Sequence, residues 1–429
     1  MQAAKQDQTA LVVCSTAFTT LGRSQLKALG CADLPIAVMP HPFGVRTRAE
    51  VRSLAETLVD EIARLAVGGE DKTAGKAGDH GKVETRAAAL TVPDDINAFN
   101  DEGEQCGWSD GLPLVPPTIA RVDAMLAATR RDRNEIVAQI APGFGAATVE
   151  RVAINAVMAG CRAEYLPVLL AAVEAVADTT FNLQGIQATT NSATPWIIVN
   201  GPLATTLGVN SGLNCLGQGN RANATLGRAL RLVLQNIGGA LPGQMDRATH
   251  GQPGKYTFCC AENEAANPWT PLHVERGFNA DENIVTVVGA AGTLNLNSHS
   301  KDAADLLRAI ALSFVYPTSN DYHFAGAPWL ILSPEHAEVL RSGGLSKDDV
   351  KRGIWEQSKM EAGRFARKDY DRAQHTREKE LGGFAPDTPV PISPTPGEIG
   401  IIVAGGAGTH SVYVPTFGQT RAVSRKVKS

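Results

Sequence analysis

The sequence predicts an α/β protein, and three observations predict it. Glycine supplies 42 of 429 residues while aromatic residues make up only 5%, a balance that suits many tight strand-to-helix turns, where close backbone approach needs residues without a side chain. The first 66 residues alternate short apolar runs with helical patterns. Finally, Pro195-Trp196-Ile197-Ile198-Val199-Asn200-Gly201-Pro202 is echoed by Pro328-Trp329-Leu330-Ile331-Leu332-Ser333-Pro334. Each copy follows a polar loop and leads toward a later helix. The expected architecture is a two-lobed α/β body, read either as an internal duplication or as a chance echo, with a smaller Rossmann-like unit formed by the two chain ends.

In chain order, residues 10–13 and 34–39 read as strands and 24–29 as a short helix. Over 47–66 the apolar residues Val51, Leu54, Leu58, Ile62 and Leu65 recur every three or four positions, which marks an amphipathic helix. Thr47 followed three residues later by Glu50 fits a capping box at its start. Two strands bury too little to stand alone, so the rest of that sheet is expected from elsewhere in the chain or from another subunit. Residues 67–86, rich in Gly, Lys and Asp without periodicity, read as a flexible linker. The main body spans 87–385, with possible halves 87–240 and 241–385. Helices are expected over 115–126, 147–158, 164–177, 222–235 and 347–357, with a break at Gly160-Cys161-Arg162. The remainder, 386–429, opens with five prolines in eleven residues, a stiff connector. A strand over 399–403 and a glycine-rich turn over 405–410 follow, and this strand is expected to complete the sheet begun by the first 66 residues.

Composition excludes several classes. A net charge of -4 offers no basic field for phosphate backbones, so no nucleic-acid partner is expected. The longest apolar run, 165–177, is broken by Glu174 and is too short for a bilayer core of roughly 30 Å, so no membrane partner is expected either. The first nine residues carry Lys5 and Asp7 where a secretory leader would be apolar. Seven cysteines without regular spacing suggest reduced thiols and a cytoplasmic protein.

The run Val12-Val13-Cys14-Ser15-Thr16-Ala17-Phe18, then Leu29-Gly30, Asp33-Leu34-Pro35 and Pro40-His41-Pro42 resembles the second half of the UGSC family, named for a motif with cysteine or selenocysteine. The resemblance covers about the first 66 residues. It implies a Rossmann-like segment and a lineage with thiol or selenol chemistry. It also implies that the namesake motif stands upstream of this point, so no residue here inherits the family's redox role. The body, from Asp110-Gly111-Leu112-Pro113 onward, is similar to uncharacterised proteins associated with that family, which bring no established activity.

Residues 258–278 hold the densest chemistry. Cys259, Cys260, Glu262, Glu264, His273, Glu275 and Arg276 crowd a stretch with little apolar periodicity. An unpaired buried charge costs several kcal/mol, so such a cluster is either solvated surface or a site. Adjacent cysteines on a strand point to opposite faces, so one of Cys259 and Cys260 is expected to face a pocket as a nucleophile, with Glu262 or His273 as acid or base. The bland alternative is two small buried hydrophobes. Arg276 offers a planar fork for a substrate carboxylate, or a surface ion pair. The same acids and His273 offer metal ligands, but no Cys-x-x-Cys or His-Glu-x-x-His accompanies them. No cofactor is therefore predicted, and a metal is the lesser reading.

Other candidates lie in loops. Cys14, at a strand end entering a helix, is read as an activated thiol or as a packed small residue; Cys161 carries the same two readings. The run 212–223 enters a helix through glycines, and its free amides with Asn220, Arg221 and Asn223 form a candidate cradle for an anionic substrate. Thr190 and Asn191 lie in a polar loop that lines a cleft or simply turns. His410 closes the last glycine-rich turn as a base or as a solvated side chain. The functional expectation is an enzyme that uses a thiol with Glu or His help to cleave or reduce a carbon–heteroatom bond in a small anionic substrate. The alternatives are a non-redox hydrolase or lyase, with or without a metal, and a non-catalytic subunit of a thiol or selenol enzyme complex. The incomplete N-terminal sheet further predicts a homo-oligomer.

Overall fold

The computed structural model describes residues 9–43, 46–68, 87–92 and 94–428. The expected linker therefore lies almost wholly outside the described residues. Strands β1 (Val12–Ser15) and β2 (Ile36–Met39) pair in parallel, joined by helix α1 (Thr19–Ala28) and followed by α2 (Arg48–Ala66). The capping box forms as the spacing requires: Thr47 Oγ1 accepts from Glu50 N while Glu50 reaches back to Thr47 N. The segment has its own small core around Ala37, Leu58 and Leu65.

The body opens with α3 (Ile96–Gln105), α4 (Ile119–Leu126), the hairpin β3 (Ile136–Ile140) and β4 (Gly145–Thr148), and helices α5 (Val149–Ala159), α6 (Leu166–Val176) and α7 (Leu183–Ala188). The helix expected from residue 147 starts two residues later, because Thr148 still pairs in β4 and caps α5 through Arg151 N. Gly160, at φ 85°, ends it in the left-handed conformation a side chain would resist.

Next come β5 (Thr194–Asn200), α8 (Pro202–Thr206), α9 (Arg221–Asn236), β6 (Cys259–Ala261), α10 (Leu272–Glu275), β7 (Ile284–Ala290) and β8 (Leu294–Asn297). The chain then adds α11 (Ala303–Ser313), α12 (Asn320–Phe324), β9 (Trp329–Leu332), α13 (Pro334–Ser342), α14 (Lys347–Gln357), β10 (Met360–Glu361) and α15 (Arg367–Leu381). It closes with β11 (Pro389–Val390), β12 (Gly400–Val403), β13 (His410–Val414) and β14 (Val423–Lys426).

Two four-stranded sheets organise these elements, ordered β6-β5-β7-β14 and β12-β9-β13-β8. In each, the first two strands are parallel and the next two alternate antiparallel. The echoed segments hold the same place: Trp196 pairs with Val288 across β5 and β7, and Trp329 with Val414 across β9 and β13. One strand of each sheet is exchanged. The chain leaves β7 in the first sheet to form β8 in the second, and leaves β13 in the second to form β14 in the first. The two crossings meet, with Ala291 N donating to Pro415 O (2.8 Å) and Phe417 N to Gly289 O (3.0 Å).

Inner faces of the sheets pack on each other through Trp196, Ile198, Cys260 and Val288 against Trp329, Ile331, Ile402 and Val414. Helices α6 and α9 cover the outer face of the first sheet with α5 packed on them, and α13 and α14 that of the second with α11 packed on them. Because both faces of each sheet are buried, β5 and β9 are continuously apolar rather than alternating. The expectation that the C-terminal strand completes the β1–β2 sheet is overturned: β12 pairs with β9 instead. Ile401 and Val403 find a full apolar layer under α14, which the two-stranded N-terminal sheet does not offer.

Candidate active site

The parallel pair β5–β6 sends its carboxyl ends toward the seam between the sheets, a usual place for ligands in α/β proteins. Strand alternation turns Cys260 inward, toward Trp196 and Ile198, and Cys259 outward, toward α9. Opposite Cys260 stands Cys215, carried by the glycine-rich loop before α9. The two side chains share one buried apolar cluster, and each thiol bears on the other's ionisation.

Cys215 is held by two glycine-rich loops at once. Asn223 Nδ2 donates to Cys215 O (2.9 Å), Asn210 Nδ2 to Leu213 O (3.0 Å), and Gly405 N to Ser211 O (2.8 Å), which fastens the loop after β12 onto the loop before α9. Close contact requires glycine at 406, where an added Cβ would sit 2.7 Å from Leu213. The neighbouring Cys260 thiol lowers the Cys215 pKa below the ordinary thiol value despite burial, with help from the amides of Cys215, Gly405 and Leu216. The first and second of these also serve Gly212 O and Ser211 O. Cys260 moves the opposite way: the neighbouring Cys215 and burial both disfavour its thiolate. The buried indole Nε1–H of Trp196 opposes that rise and has no full hydrogen-bond partner of its own. Such a donor is suited to negative charge on sulfur.

Two residues along the same face of β6, Glu262 is buried at the strand end. Its carboxylate accepts from Asn200 Nδ2 (2.6 Å), Asn267 Nδ2 (2.8 Å) and Leu272 N (2.8 Å). Burial raises its pKa, against the pull of Lys347. Glu264 accepts from Asn200 Nδ2 and Gly201 N, and lies 3.7 Å from His273 Nδ1. His273 is fully buried, with Nε2 against Ala280 O (3.3 Å). It lies in the short helix α10, with its ring nitrogens facing Ala280 O and Glu264. Glu275 turns away to Lys347 (2.9 Å) and Lys351, which hold its pKa low against burial.

Several predicted site residues serve the protein instead. Arg221 donates twice to Gly160 O, at the end of α5. Asn220 caps α9 and donates to Gly208 O, and Asn223 is spent on Asn210 and Cys215. The expected anion cradle is therefore filled by backbone, which corrects the assignment of these three residues to a substrate. Arg276 binds Ser424 Oγ and Ala422 O (both 2.7 Å), anchoring the approach to β14 rather than clamping a carboxylate. Thr190 accepts from Thr249, and Asn191 closes a turn onto Thr189. His410 pairs with Asn295 at the edge of β13, apart from the thiols. Cys14 faces Thr19 in the N-terminal segment (3.9 Å). Cys161 and Cys259 are buried together behind the first sheet; burial pushes Cys161 up to about 12 and Cys259 higher still, so both are inert. Sequence reasoning passed over Cys215, although it sits at the centre of the run singled out for its amides. A cysteine inside a Gly/Asn loop was the available signal.

Among the described residues, no three His, Cys, Asp or Glu side chains converge to hold a metal ion. No single helix among them is long and apolar enough to cross a membrane. Fold and site together define an α/β double-sheet protein with a buried dithiol in its seam. Residues 7–68 match the UGSC family, in agreement with the resemblance read from the N-terminal sequence. No curated protein and no solved structure matches the chain significantly.

Proposed function

We propose that the chain is a thiol-dependent reductase that cleaves a carbon–heteroatom bond in a small anionic substrate, with Cys215 as nucleophile and Cys260 as resolving thiol. The observation that carries this reading is that Cys215 and Cys260 share one buried cluster in the seam, where the neighbouring thiol and backbone amides favour the Cys215 thiolate. Attack by the Cys215 thiolate on carbon displaces the heteroatom with its bonding electron pair and leaves a thioether. The Cys260 thiolate then attacks the Cys215 sulfur. A disulfide forms, and the carbon departs with the C–S electron pair as a carbanion stabilised by an adjacent carbonyl. Proton uptake completes a reduction in which two thiols are oxidised and one carbon is reduced. An external thiol restores the pair by exchange. Glu262, on the same strand face as Cys260 and with its pKa raised by burial, is the acid nearest in sequence for that proton.

The competing hydrolase reading on Glu262 and His273 has less support, since the His273 ring nitrogens face Ala280 O and Glu264 rather than a thiol or hydroxyl. The seven free cysteines suit a reducing compartment, so we place this activity in the cytoplasm. The two-stranded β1–β2 sheet, with Val13 exposed, favours a homo-oligomer.

Bromopyruvate is a suitable probe, being small, anionic and activated at carbon. Incubated with the reduced protein and dithiothreitol, it should yield pyruvate and bromide, while Cys260→Ser should stall with a pyruvyl adduct on Cys215 detectable by mass spectrometry. A protein whose adduct forms equally on all seven cysteines, or whose Cys260→Ser variant releases pyruvate at the original rate, overturns the proposal.

A further inference from the structure

A second buried cluster lies on the outer face of the first sheet, under α9 at the start of β5. Arg231 is only 7% exposed, yet among the described residues no carboxylate pairs with it. Its two Nη atoms reach Gln187 Oε1 at 3.4 Å, Nη2 reaches Thr194 Oγ1 at 3.5 Å, and Nε reaches nothing. These contacts sit at the outer limit of a hydrogen bond. Gln187, itself buried, also leaves its Nε2 donor without an acceptor.

The nearby acids are already taken. Asp246 pairs with Lys255 (2.6 Å) and Asp110 with Arg228 (2.8 Å). Counting Arg231, Lys255 and Asp246, the cluster keeps one uncompensated positive charge. A buried guanidinium left unpaired costs several kcal/mol, and buried donors without acceptors add to it. Arg231, Lys255, Thr194 and Gly254 line a hollow with about 170 Å³ of free space including its mouth. As it stands the hollow is too narrow for a free water, so an occupant must displace a lining side chain, and Lys255, 17% exposed, is the one free to move toward solvent.

We propose that the hollow at Arg231 binds a small planar monoanion, a carboxylate of formate or acetate size. One negative charge balances the cluster. A planar carboxylate can accept from Nε and an Nη of the guanidinium fork together, and from Gln187 Nε2 beside it. The site is on the opposite face of the sheet from Cys260 and stands independently of the thiol reading.

Thermal unfolding of the full chain at neutral pH tests it. Sodium formate or acetate should raise Tm by about 2–5 °C over sodium chloride at matched ionic strength, saturating with concentration. Arg231→Met should abolish that rise, and Lys255→Gln should weaken it, which keeps the test decisive if Arg231→Met does not fold. The proposal is overturned if formate and acetate act no differently from chloride, if inorganic phosphate gives the larger rise, or if both variants retain the full response.

Discussion

Cys215 and Cys260 illustrate how little a residue's chemistry depends on its type. Seven cysteines share one sequence, and burial alone renders Cys161 and Cys259 unreactive. Cys215 is also buried, but a thiol and backbone amides point at its sulfur. Iodoacetamide labelling followed by peptide mapping should therefore find Cys215 alkylated faster than Cys161, Cys259 or Cys260 at neutral pH, with its half-maximal rate below the ordinary thiol pKa of 9.0. Cys260→Ser should move that midpoint upward, because its thiol is the leading stabiliser.

Asp321 is the matching case among acids. Fully buried, it accepts from Ser319 Oγ (2.9 Å), Tyr413 OH (3.1 Å) and both the amide and hydroxyl of Thr416, the residue at the strand crossing. Burial nevertheless raises its pKa from 3.8 to about 6. A raised folded pKa means the folded state holds the proton more tightly, so this group's contribution is fullest below the unfolded value and falls as pH rises toward 6. Urea denaturation from pH 4 to pH 7 should show wild type losing about 2 kcal/mol relative to Asp321→Asn. A pH-independent difference would mean the carboxyl ionises as it does in water.

At the scale of elements, close approach rather than propensity sets the site. Helix α9 carries Gly227 where a Cβ would sit 2.4 Å from Thr257 Oγ1 and 2.6 Å from Phe258 N, just before β6. A glycine inside a helix costs roughly 1 kcal/mol against alanine, so its presence here marks contact rather than flexibility. Gly227→Ala should thus destabilise by about 1–3 kcal/mol, despite the gain in helix propensity, and should slow Cys215 labelling by shifting β6 and Cys260. Denaturation midpoint and labelling rate on the same sample separate the two effects.

For the whole molecule, the exchanged strands make the sheets interdependent while the N-terminal segment keeps a core of its own. Strand β14 pairs with Val285 and Val287 of β7, so the first sheet is closed by the last residues of the chain. Deleting residues 419–429 should remove that edge, expose the side of β7 and prevent cooperative unfolding of the body. Deleting residues 1–68, whose core is separate, should leave the body's unfolding transition nearly unchanged. Calorimetry of the two truncations makes the comparison, and equal losses would refute the separation.

Local patterns were enough to read the capping box at Thr47, the helix bounds near 222–235 and 347–357, the opposed faces of Cys259 and Cys260, and the UGSC resemblance over the first residues. Each depends on neighbours within a few positions, where sterics and hydrogen bonding act through the chain itself. Tertiary structure alone decided that β12 joins β9, that β8 and β14 change sheets, and that Cys215 meets Cys260 while Arg221 meets Gly160. Those pairings are set by which buried faces complete one another across the fold, and residues far apart in sequence leave no local periodicity to announce them.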